Sequence, residues 1–429
     1  MSNQANFRRA AIVETRIYDN PASPATSPYD VALPITVLDA VFDADTGQSL
    51  TEILQALPAG RPTRTYGVHI DLNNSNPYTA VTYIGDAVGM VGGSPTWDTM
   101  PIFQDIRPCL FNNGAVVGYL NPDNFEQWHP QQDLTGLPAT PDITSGDAGD
   151  VMIEIPRVGW RIDTVGDIMT VQITNEQNTP GYRYFAHTRN EGGDRNFLYV
   201  GAYKGIIQDN RLRSISGATP TVQQGLGAFR TAANANGVGY DQMAFFPLML
   251  LQILYLIRFK SLNSQAALGN GRTGATEIAN TGSTNTKGMN WGTTANAIDP
   301  VKCLGIEDLW GNVSEGIDGI FSDVRRDILT AFQDFNDTGQ GYVNRGNAGT
   351  MNFSGFTTRV QGTSEMGFIP RATGGSETTF FSDRCILTAS SVGTFGGNWG
   401  SGGGAGVFYF GWIPVVVTVT AEGARLMFL

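Results

Sequence analysis

The stretch GIEDLWGNVSEGIDGI, residues 305–320, contains two carboxylates, Glu315 and Asp318, shortly after Trp310 and Gly311-Asn312. Paired acids at such a spacing perform acid–base chemistry in glycosidases. The same residues also fit a turn, in which Asn312 bonds the neighbouring backbone and Trp310 fills the core. We prefer the turn, and acid–base chemistry stays the alternative.

The cysteines and histidines are few and lie far apart in the chain. None of them shows the CxxC spacing or the ligand spacing of a zinc site. The sequence also lacks a GxSxG nucleophile motif. We therefore predict that the thiols of Cys109, Cys303 and Cys385 are buried. We also predict that these cysteines and the histidines form no zinc site; the histidines are His69, His129 and His187.

Two acidic turns offer oxygen atoms at a spacing that calcium could use. QDFNDTGQG (333–341) places Asp334, Asn336 and Asp337 before a glycine, and DADTG (43–47) is similar. Neither completes an EF-hand loop with its closing Glu. We prefer an Asx turn to a calcium site, and we predict no metal and no cofactor.

The densest glycine cluster, GSGGGAG (400–406), lies in a stretch without charge between Arg384 and Glu422. A phosphate-binding loop is excluded, because no GK[ST] follows and the cluster precedes an aromatic strand rather than a helix. The segment is therefore a structural turn or a surface that contacts another molecule.

Composition restricts the class of protein. The chain has 429 residues with 53 glycines, about 12% against an average near 7%, and charged residues make up only 15% against about 25%. This balance favours a loop-rich, β-leaning protein. The net charge of -12 and the absence of a basic cluster argue against a nucleic-acid partner.

The sequence predicts no membrane insertion. The N-terminal residues lack the apolar core of a signal peptide. The longest apolar run, FFPLMLLQILYLIRF (Phe245–Phe259), contains Gln252 and is too short to span a bilayer. Since it is apolar nearly all round, we expect a helix buried in the core.

Three domains are predicted along the chain. Residues 1–60 form an attachment or oligomerisation segment that ends in a short helix, DTGQSLTEILQALPAG. Residues 61–148 form a small β-rich domain, with a hairpin at Asn112–Gly114 and a linker. Residues 149–429 combine short strands with two helices, one after Pro220 and one over 245–259, and long loops. The expected fold class is α+β.

Several segments of the last 280 residues or so resemble known families. LWGNVSEGIDG, FGGNWGSGGGAGVFYF and GARL resemble the C-type-lectin-like fold that formylglycine-generating enzymes share with variable tip proteins of bacteriophages. DVMIEIPRVGWRI, YVGAYKG, LRSISGATPTVQQ and NSQAALGNG resemble segments of phage tail-fibre and receptor-binding proteins, in the same order.

The phage resemblance implies a virion receptor-binding protein of the tail tip or fibre, assembled in the bacterial cytoplasm, without enzyme activity. Its partners would be a host cell-surface receptor (protein or glycan), other virion tail proteins and two further copies in a homotrimer. The alternatives are a formylglycine-generating-type oxidase and a cellular lectin-like adhesin. The oxidase family uses a pair of late cysteines, whereas Cys385 is the only late cysteine here and Cys303 precedes the LWGN element.

The resemblance also implies a C-terminal receptor-binding face. In the variable tip proteins a retroelement can randomise the codons for the side chains of this face. Alternation along VFYFGWIPV places Val407, Tyr409 and Gly411 opposite Phe408 and Phe410. Residues assigned to packing are Gly396, Gly397, Trp399, Ala405, Gly406, Phe408, Gly423, Ala424, Arg425 and Leu426. Residues expected to bind the ligand are Gly400, Ser401, Gly403, Gly404, Val407, Tyr409, Gly411, Trp412, Ile413 and Val415.

Overall fold

The computed structural model describes residues 63–189, 193–349, 354–414 and 420–429. Residues Thr63–Leu429 form one compact unit. The segment expected over 1–60, with its short helix and its DADTG turn, lies outside the described residues.

Most regular structure in the chain is β-sheet. The strands, in chain order, are β1 (Thr65–Asp71), β2 (Val81–Gly85), β3 (Arg107–Asn112), β4 (Ala115–Asn121), β5 (Asn124–Trp128), β6 (Asp150–Pro156), β7 (Gly159–Val165), β8 (Ile168–Thr174), β9 (Thr188–Arg189), β10 (Gly193–Asp194), β11 (Phe197–Gly201), β12 (Ile206–Gln208), β13 (Arg211–Arg213), β14 (Tyr240–Gln242), β15 (Lys302–Cys303), β16 (Ile306–Glu307), β17 (Ser314–Ser322), β18 (Asp327–Thr330), β19 (Val343–Asn347), β20 (Ser354–Val360), β21 (Pro370–Thr373), β22 (Arg384–Ile386), β23 (Ser391–Phe395), β24 (Phe410–Pro414), β25 (Glu422–Gly423) and β26 (Leu426–Phe428).

The helices are short, apart from one. The α-helices within the described residues are α1 (Leu226–Asn234), α2 (Phe245–Phe259) and α3 (Ser264–Ala267). Single 3-10 turns occupy Pro95–Thr99, Phe103–Asp105, Phe185–His187 and Gly402–Gly404.

Three larger sheets organise the chain. A four-stranded sheet has the order β2-β1-β8-β7, and a seven-stranded sheet has the order β14-β26-β11-β6-β3-β4-β5. A third sheet runs β19-β18-β17-β23-β24-β22-β20-β21, with β25 added in parallel to β17. The glycine cluster of residues 400–406 thus lies on the connection between two paired strands, β23 and β24.

Helix α2 lies at the centre of the core, as its sequence predicts. All fifteen of its residues are buried. It contacts β1 in the four-stranded sheet and β17 in the third sheet, so it fills the space between them. The helix ends at Lys260, which adopts a left-handed conformation with φ 53°.

The expected α+β, C-type-lectin-like domain with two helices and long loops is wrong. Strands account for 35% of the chain and helices for 12%, which makes the protein a β-rich sandwich or half-barrel. The expectation failed because several strands carry no alternating pattern. β17 reads SEGIDGIFS, with four polar residues and two glycines, yet all nine of its residues are buried.

The expected boundary between residues 148 and 149 does not separate two domains. β1, from the predicted small domain, pairs with β8 from the predicted large one. β3 likewise pairs with β6 over five residue pairs. The hairpin at Asn112–Gly114 is confirmed: Asn113 (φ 50°) and Gly114 (φ 78°) connect β3 to β4 with the positive dihedrals of a type I′ turn.

Candidate binding surface

Side chains from α2 and α3 hold the loop that precedes β24. Gln252 of α2 donates its Nε2 hydrogen to the Val407 carbonyl at 2.9 Å. Gln265 of α3 donates to the carbonyls of Gly402 and Ala405 at 2.9 and 2.8 Å. Gln252, the one amide side chain of the apolar helix α2, therefore anchors the glycine-rich loop. This arrangement fixes where β24 begins.

A buried carboxylate holds the same loop from the other side. Asp383 accepts a hydrogen bond from the Phe408 backbone N–H at 2.7 Å. Burial raises the pKa of Asp383 well above its usual value, and the backbone hydrogen bonds from Phe408 and Tyr409 offset part of this rise. Gly406 must be glycine, because a Cβ at that position would overlap the Asp383 carboxylate.

The inner side of β24 is entirely buried. Phe408, Phe410 and Trp412 are each exposed by 2% or less, and the rings of Phe410 and Trp412 lie 5.2 Å apart. The expectation that Trp412 faces a ligand is therefore wrong. The two-residue period of β24 that places Phe410 inside also places Trp412 inside.

Val407 is also fully buried and does not face solvent. Residues 406–409 form a turn rather than a strand, so alternation does not apply to Val407. Its backbone is held from both sides, since its N–H donates to Ser264 Oγ at 3.1 Å and its carbonyl accepts from Gln252. Val407 belongs to the packing residues.

The opposite side of β24 is what we call the outer face, formed by Tyr409, Gly411, Ile413, Val392 and Thr394. Val392 pairs with Ile413 across the two strands, and Thr394 pairs with Gly411. Gly411, Val392 and Thr394 are buried, so the partly exposed side chains of this face are Tyr409 and Ile413. Tyr409 and Ile413 are thus the two predicted ligand-binding residues whose side chains reach the surface on this side of β24.

Three of the glycines predicted for ligand contact have neighbours that restrict exchange. A Cβ at Gly411 would lie 2.6 Å from Thr394 Cγ2, a short side chain on the paired strand, so the expected exchange at Gly411 is wrong. Added Cβ atoms at Gly403 and Gly404 would meet the side chains of Glu377 and Arg384, down to their Cβ atoms, so both side chains would have to shift.

Gly400 and Ser401 keep access to solvent. Gly400 is exposed, and a Cβ there would come no closer than 3.6 Å to the Asn398 side chain. Ser401 is partly exposed, although its hydroxyl accepts a hydrogen bond from the Asn398 N–H at 2.9 Å. Val415 lies outside the described residues.

Glu422 lies beside Ile413 at the border of the outer face. Burial raises the pKa of Glu422 to about 7, while the nearby Thr394 hydroxyl lowers it in part. The neighbouring cleft, lined in part by Leu226, Ile413 and Glu422, has a volume of only about 20 Å³. That volume holds about one water molecule, so the outer face is a surface for contact rather than a small-molecule pocket.

A buried ion-pair cluster, missed by the sequence analysis, braces the strands beneath this face. The Arg425 guanidinium donates to Glu315 Oε1 at 2.7 and 3.0 Å, and Lys204 Nζ lies 2.6 Å from the same oxygen. Burial raises the pKa of Glu315, but Arg425 and Lys204 together lower it further, so the net shift is downward. Arg425 is fully buried, which confirms its assignment to packing.

The hydrogen-bond partners of Glu315 and Asp318 decide whether these two carboxylates can perform acid–base chemistry. Asp318 is held by Arg230 Nε at 2.9 Å and by Gln242 Nε2 at 2.8 Å. Both carboxylates are buried and occupied by cationic or amide donors, so neither is placed to protonate a substrate. They are structural ion pairs on β17.

The turn interpretation of the LWGN residues is confirmed for the turn and for the buried Trp310, but Asn312 bonds the distant backbone of Ala279 rather than its own neighbours. Asn312 has a left-handed backbone, φ 58°, and its Oδ1 accepts a hydrogen bond from the Ala279 N–H at 3.0 Å. Trp310 is fully buried and donates its indole hydrogen to the Gly269 carbonyl at 3.2 Å.

The Asx-turn interpretation of residues 333–341 is also confirmed. Asn336 Oδ1 accepts hydrogen bonds from the backbone N–H groups of Thr338 and Gln340 at 3.1 and 3.2 Å. Asp337 pairs with Arg230 at 2.6 Å instead of facing Asp334. In the part of the chain that the structure describes, no three His, Cys, Asp or Glu side chains are grouped to hold a metal ion.

The cysteines are free and buried, as predicted. Burial raises the pKa of Cys303 to about 12 and that of Cys385 to about 11. For Cys109, burial and the Glu154 charge raise the thiol pKa well above normal. A thiolate is therefore disfavoured at all three positions at neutral pH.

No family model matches this chain, and no curated protein matches it. Over the described ranges, helices of the length and apolar character needed to cross a membrane are absent.

Proposed function

We propose that this chain is a receptor-binding protein of a bacteriophage virion, which contacts a host-surface ligand through the outer face of β24. The segments that resemble phage tail-fibre proteins support the virion location. Residues 1–60 would attach the protein to other tail proteins, and the chain would act as a homotrimer.

The observation that carries the proposal is the outer face itself. Tyr409 and Ile413 offer partly exposed apolar surface on a strand whose other side is fully packed. Aromatic side chains on a rigid support lose little conformational entropy on binding and dominate many interfaces. The shallow shape of the face suits a macromolecular ligand, such as a host protein or an extended glycan.

The thiol environment argues against the oxidase alternative. That chemistry needs accessible, reactive cysteines, whereas Cys303 and Cys385 are buried with raised pKa values. No observation favours the cellular adhesin over the virion protein.

The test is a competition for adsorption. Purified full-length chain is added to bacteria that the phage infects, and the fraction of free phage is counted. We expect wild-type protein to block adsorption, and Tyr409→Ala with Ile413→Ala to block it at least tenfold less effectively. Val165→Ala is the matched control, because Val165 is an exposed apolar residue on β7, in another sheet.

Two outcomes would contradict the proposal. Wild-type protein at micromolar concentration could leave adsorption unchanged, or the Tyr409 and Ile413 variants could block it as well as the wild type does. Mass spectrometry of purified virions checks the location, and sedimentation equilibrium checks the trimer.

A further inference from the structure

A second cleft has a volume of about 460 Å³ and is lined by residues between 98 and 304. It shares no lining residue with the outer face or with the small cleft beside it. Its volume falls in the range of small-molecule sites, about 300–1,000 Å³. Three separate chain segments supply its walls: residues 98–108, 119–132 and 289–304. The cleft therefore exists only in the folded protein.

One wall is held in place by a buried carboxylate. Glu154 is almost fully buried and accepts hydrogen bonds from Tyr119 Oη at 3.1 Å and Tyr199 Oη at 2.9 Å. Arg107 Nε donates to the same residue at 3.2 Å, and its guanidinium lies 3.9 Å above the Tyr119 ring. Arg107 keeps 43% of its side chain exposed, so it presents donors at the cleft while Glu154 neutralises its charge.

Several polar groups around the cleft have no partner among the described residues. Asn290 Oδ1 accepts from the Leu304 N–H at 2.9 Å, which leaves its Nδ2 donor unused. The Asp123 carboxylate and the Gln131 side-chain amide are exposed at the rim and make no hydrogen bond to any described residue. His129 Nδ1 accepts from the Gln131 N–H at 3.2 Å, and its Nε2 makes no hydrogen bond to any described residue.

The charges of the cleft are nearly balanced. Arg107 is paired with the buried Glu154, and Asp98, one of the two acidic lining residues, is paired with Arg258 at 2.9 Å. Only Asp123 adds a carboxylate without a cationic partner. A phosphate or another strong anion would gain little here, because no cation in the cleft lacks a counter-charge.

Apolar side chains alternate with these polar groups. Pro108, Met289 and Leu304 line the cleft beside Asn290 and Asp123. A ligand that matches such a lining carries hydroxyl groups, which both donate and accept, on a ring with apolar C–H faces.

We infer that this cleft binds a neutral sugar, with Asp123 and Asn290 as hydrogen-bonding partners of its hydroxyl groups. The inference does not depend on the proposed function, since it uses other residues and another region of the chain. Asp123 accepts from one or two hydroxyls, and the Asn290 amide donates to a neighbouring one. Arg107 adds donors at the rim, and His129 adds the polar atom Nε2.

The experiment titrates the full-length protein with maltose, lactose and chitobiose, each up to 20 mM, using saturation-transfer NMR and calorimetry. We expect at least one of these disaccharides to bind. Asp123→Ala should weaken that binding at least tenfold, because a charged acceptor is lost. Asn290→Asp keeps the acceptor for the Leu304 N–H and replaces the amide donor with a negatively charged acceptor, so it should weaken binding without lowering the melting temperature.

Asp147→Asn is the matched control, since Asp147 is an exposed carboxylate outside the cleft. The inference is overturned if none of the three disaccharides binds, if glucuronate or inorganic phosphate binds in their place, or if both cleft variants bind like the wild type. Tyr409→Ala should bind the sugar normally. If the Tyr409→Ala protein binds the sugar but does not block phage adsorption, the defect lies in the outer face and not in the cleft.

Discussion

Glu422 should make the folding stability depend on pH near neutrality. Burial raises its pKa from 4.5 to about 7 in the folded protein. Below pH 4.5 the carboxyl is protonated in both the folded and the unfolded chain. As the pH rises from 4.5 to about 7, the unfolded chain releases its proton first, so the folded state loses stability, and the loss is complete above pH 7.

The size of the effect follows from the two pKa values. A difference of about 2.5 corresponds to ~3.4 kcal/mol at ~1.36 kcal/mol for each pH unit. Glu422 retains some exposure, so solvent screening reduces this figure, and we expect ~1.5–2 kcal/mol. Glu422→Gln cannot ionise and should not show this loss.

The assay is urea unfolding of the wild type and Glu422→Gln at pH 4.5 and pH 8. The free energy of unfolding of the variant, relative to the wild type, should rise by ~1.5–2 kcal/mol between the two pH values. Because other groups titrate equally in both proteins, their contributions cancel. Glu277→Gln, at an exposed site, is the control. A relative stability that stays constant within ~0.5 kcal/mol would refute the reasoning.

Three further predictions concern the frame of the outer face. Gly411→Val should lower the free energy of unfolding by ~1–3 kcal/mol through overpacking, while Gly400→Ala should change it by less than ~0.5 kcal/mol in urea titrations. Arg425→Met should cost ~3–5 kcal/mol, measured in the same way, since it removes one partner of a buried ion pair. Cys303 and Cys385 should react with a thiol-specific chromogenic reagent only after unfolding, because both thiols are buried and their pKa values are raised.

Each of these predictions has a contrary result. Equal stabilities of Gly411→Val and Gly400→Ala would show that the outer face tolerates exchange at both positions. A loss below ~1 kcal/mol for Arg425→Met would show that Lys204 alone neutralises Glu315. Rapid thiol labelling in the native protein would return the oxidase alternative to consideration.

Local sequence signals predicted some elements correctly. The pair Asn113-Gly114 specifies the β3–β4 turn, because both residues tolerate a positive φ. The fifteen apolar positions of α2 predict a buried helix without knowledge of its neighbours. The helix expected after Pro220 exists as well, but α1 begins only at Leu226.

The strand β17 could not be recognised from its own residues. Glu315 and Asp318 look like exposed or catalytic acids until their partners Arg425 and Arg230 are known, and those lie about ninety to a hundred and ten positions away. Pairings of that range leave no local pattern. This is the physical reason why the β-content was underestimated.

The candidate site was predicted in part. Alternation along the segment predicted Val407, Tyr409 and Gly411 opposite Phe408 and Phe410. Tyr409 is partly exposed, whereas Val407 and Gly411 are buried. The same rule extended to Trp412 would have placed it inside. The steric restriction at Gly411 depends on Thr394 of the paired strand, which the sequence does not place beside it. The sugar cleft depends on three distant segments and had no sequence signal.

The position of β26 has a consequence for biosynthesis. This strand lies between β11 and β14 inside the seven-stranded sheet, and more than two hundred residues separate it from β11. A ribosome releases β11 and β14 long before β26 emerges, so the nascent chain holds two unpaired strand edges in the meantime. Chaperones that cover those edges would then govern how much polypeptide reaches the native state and how much aggregates.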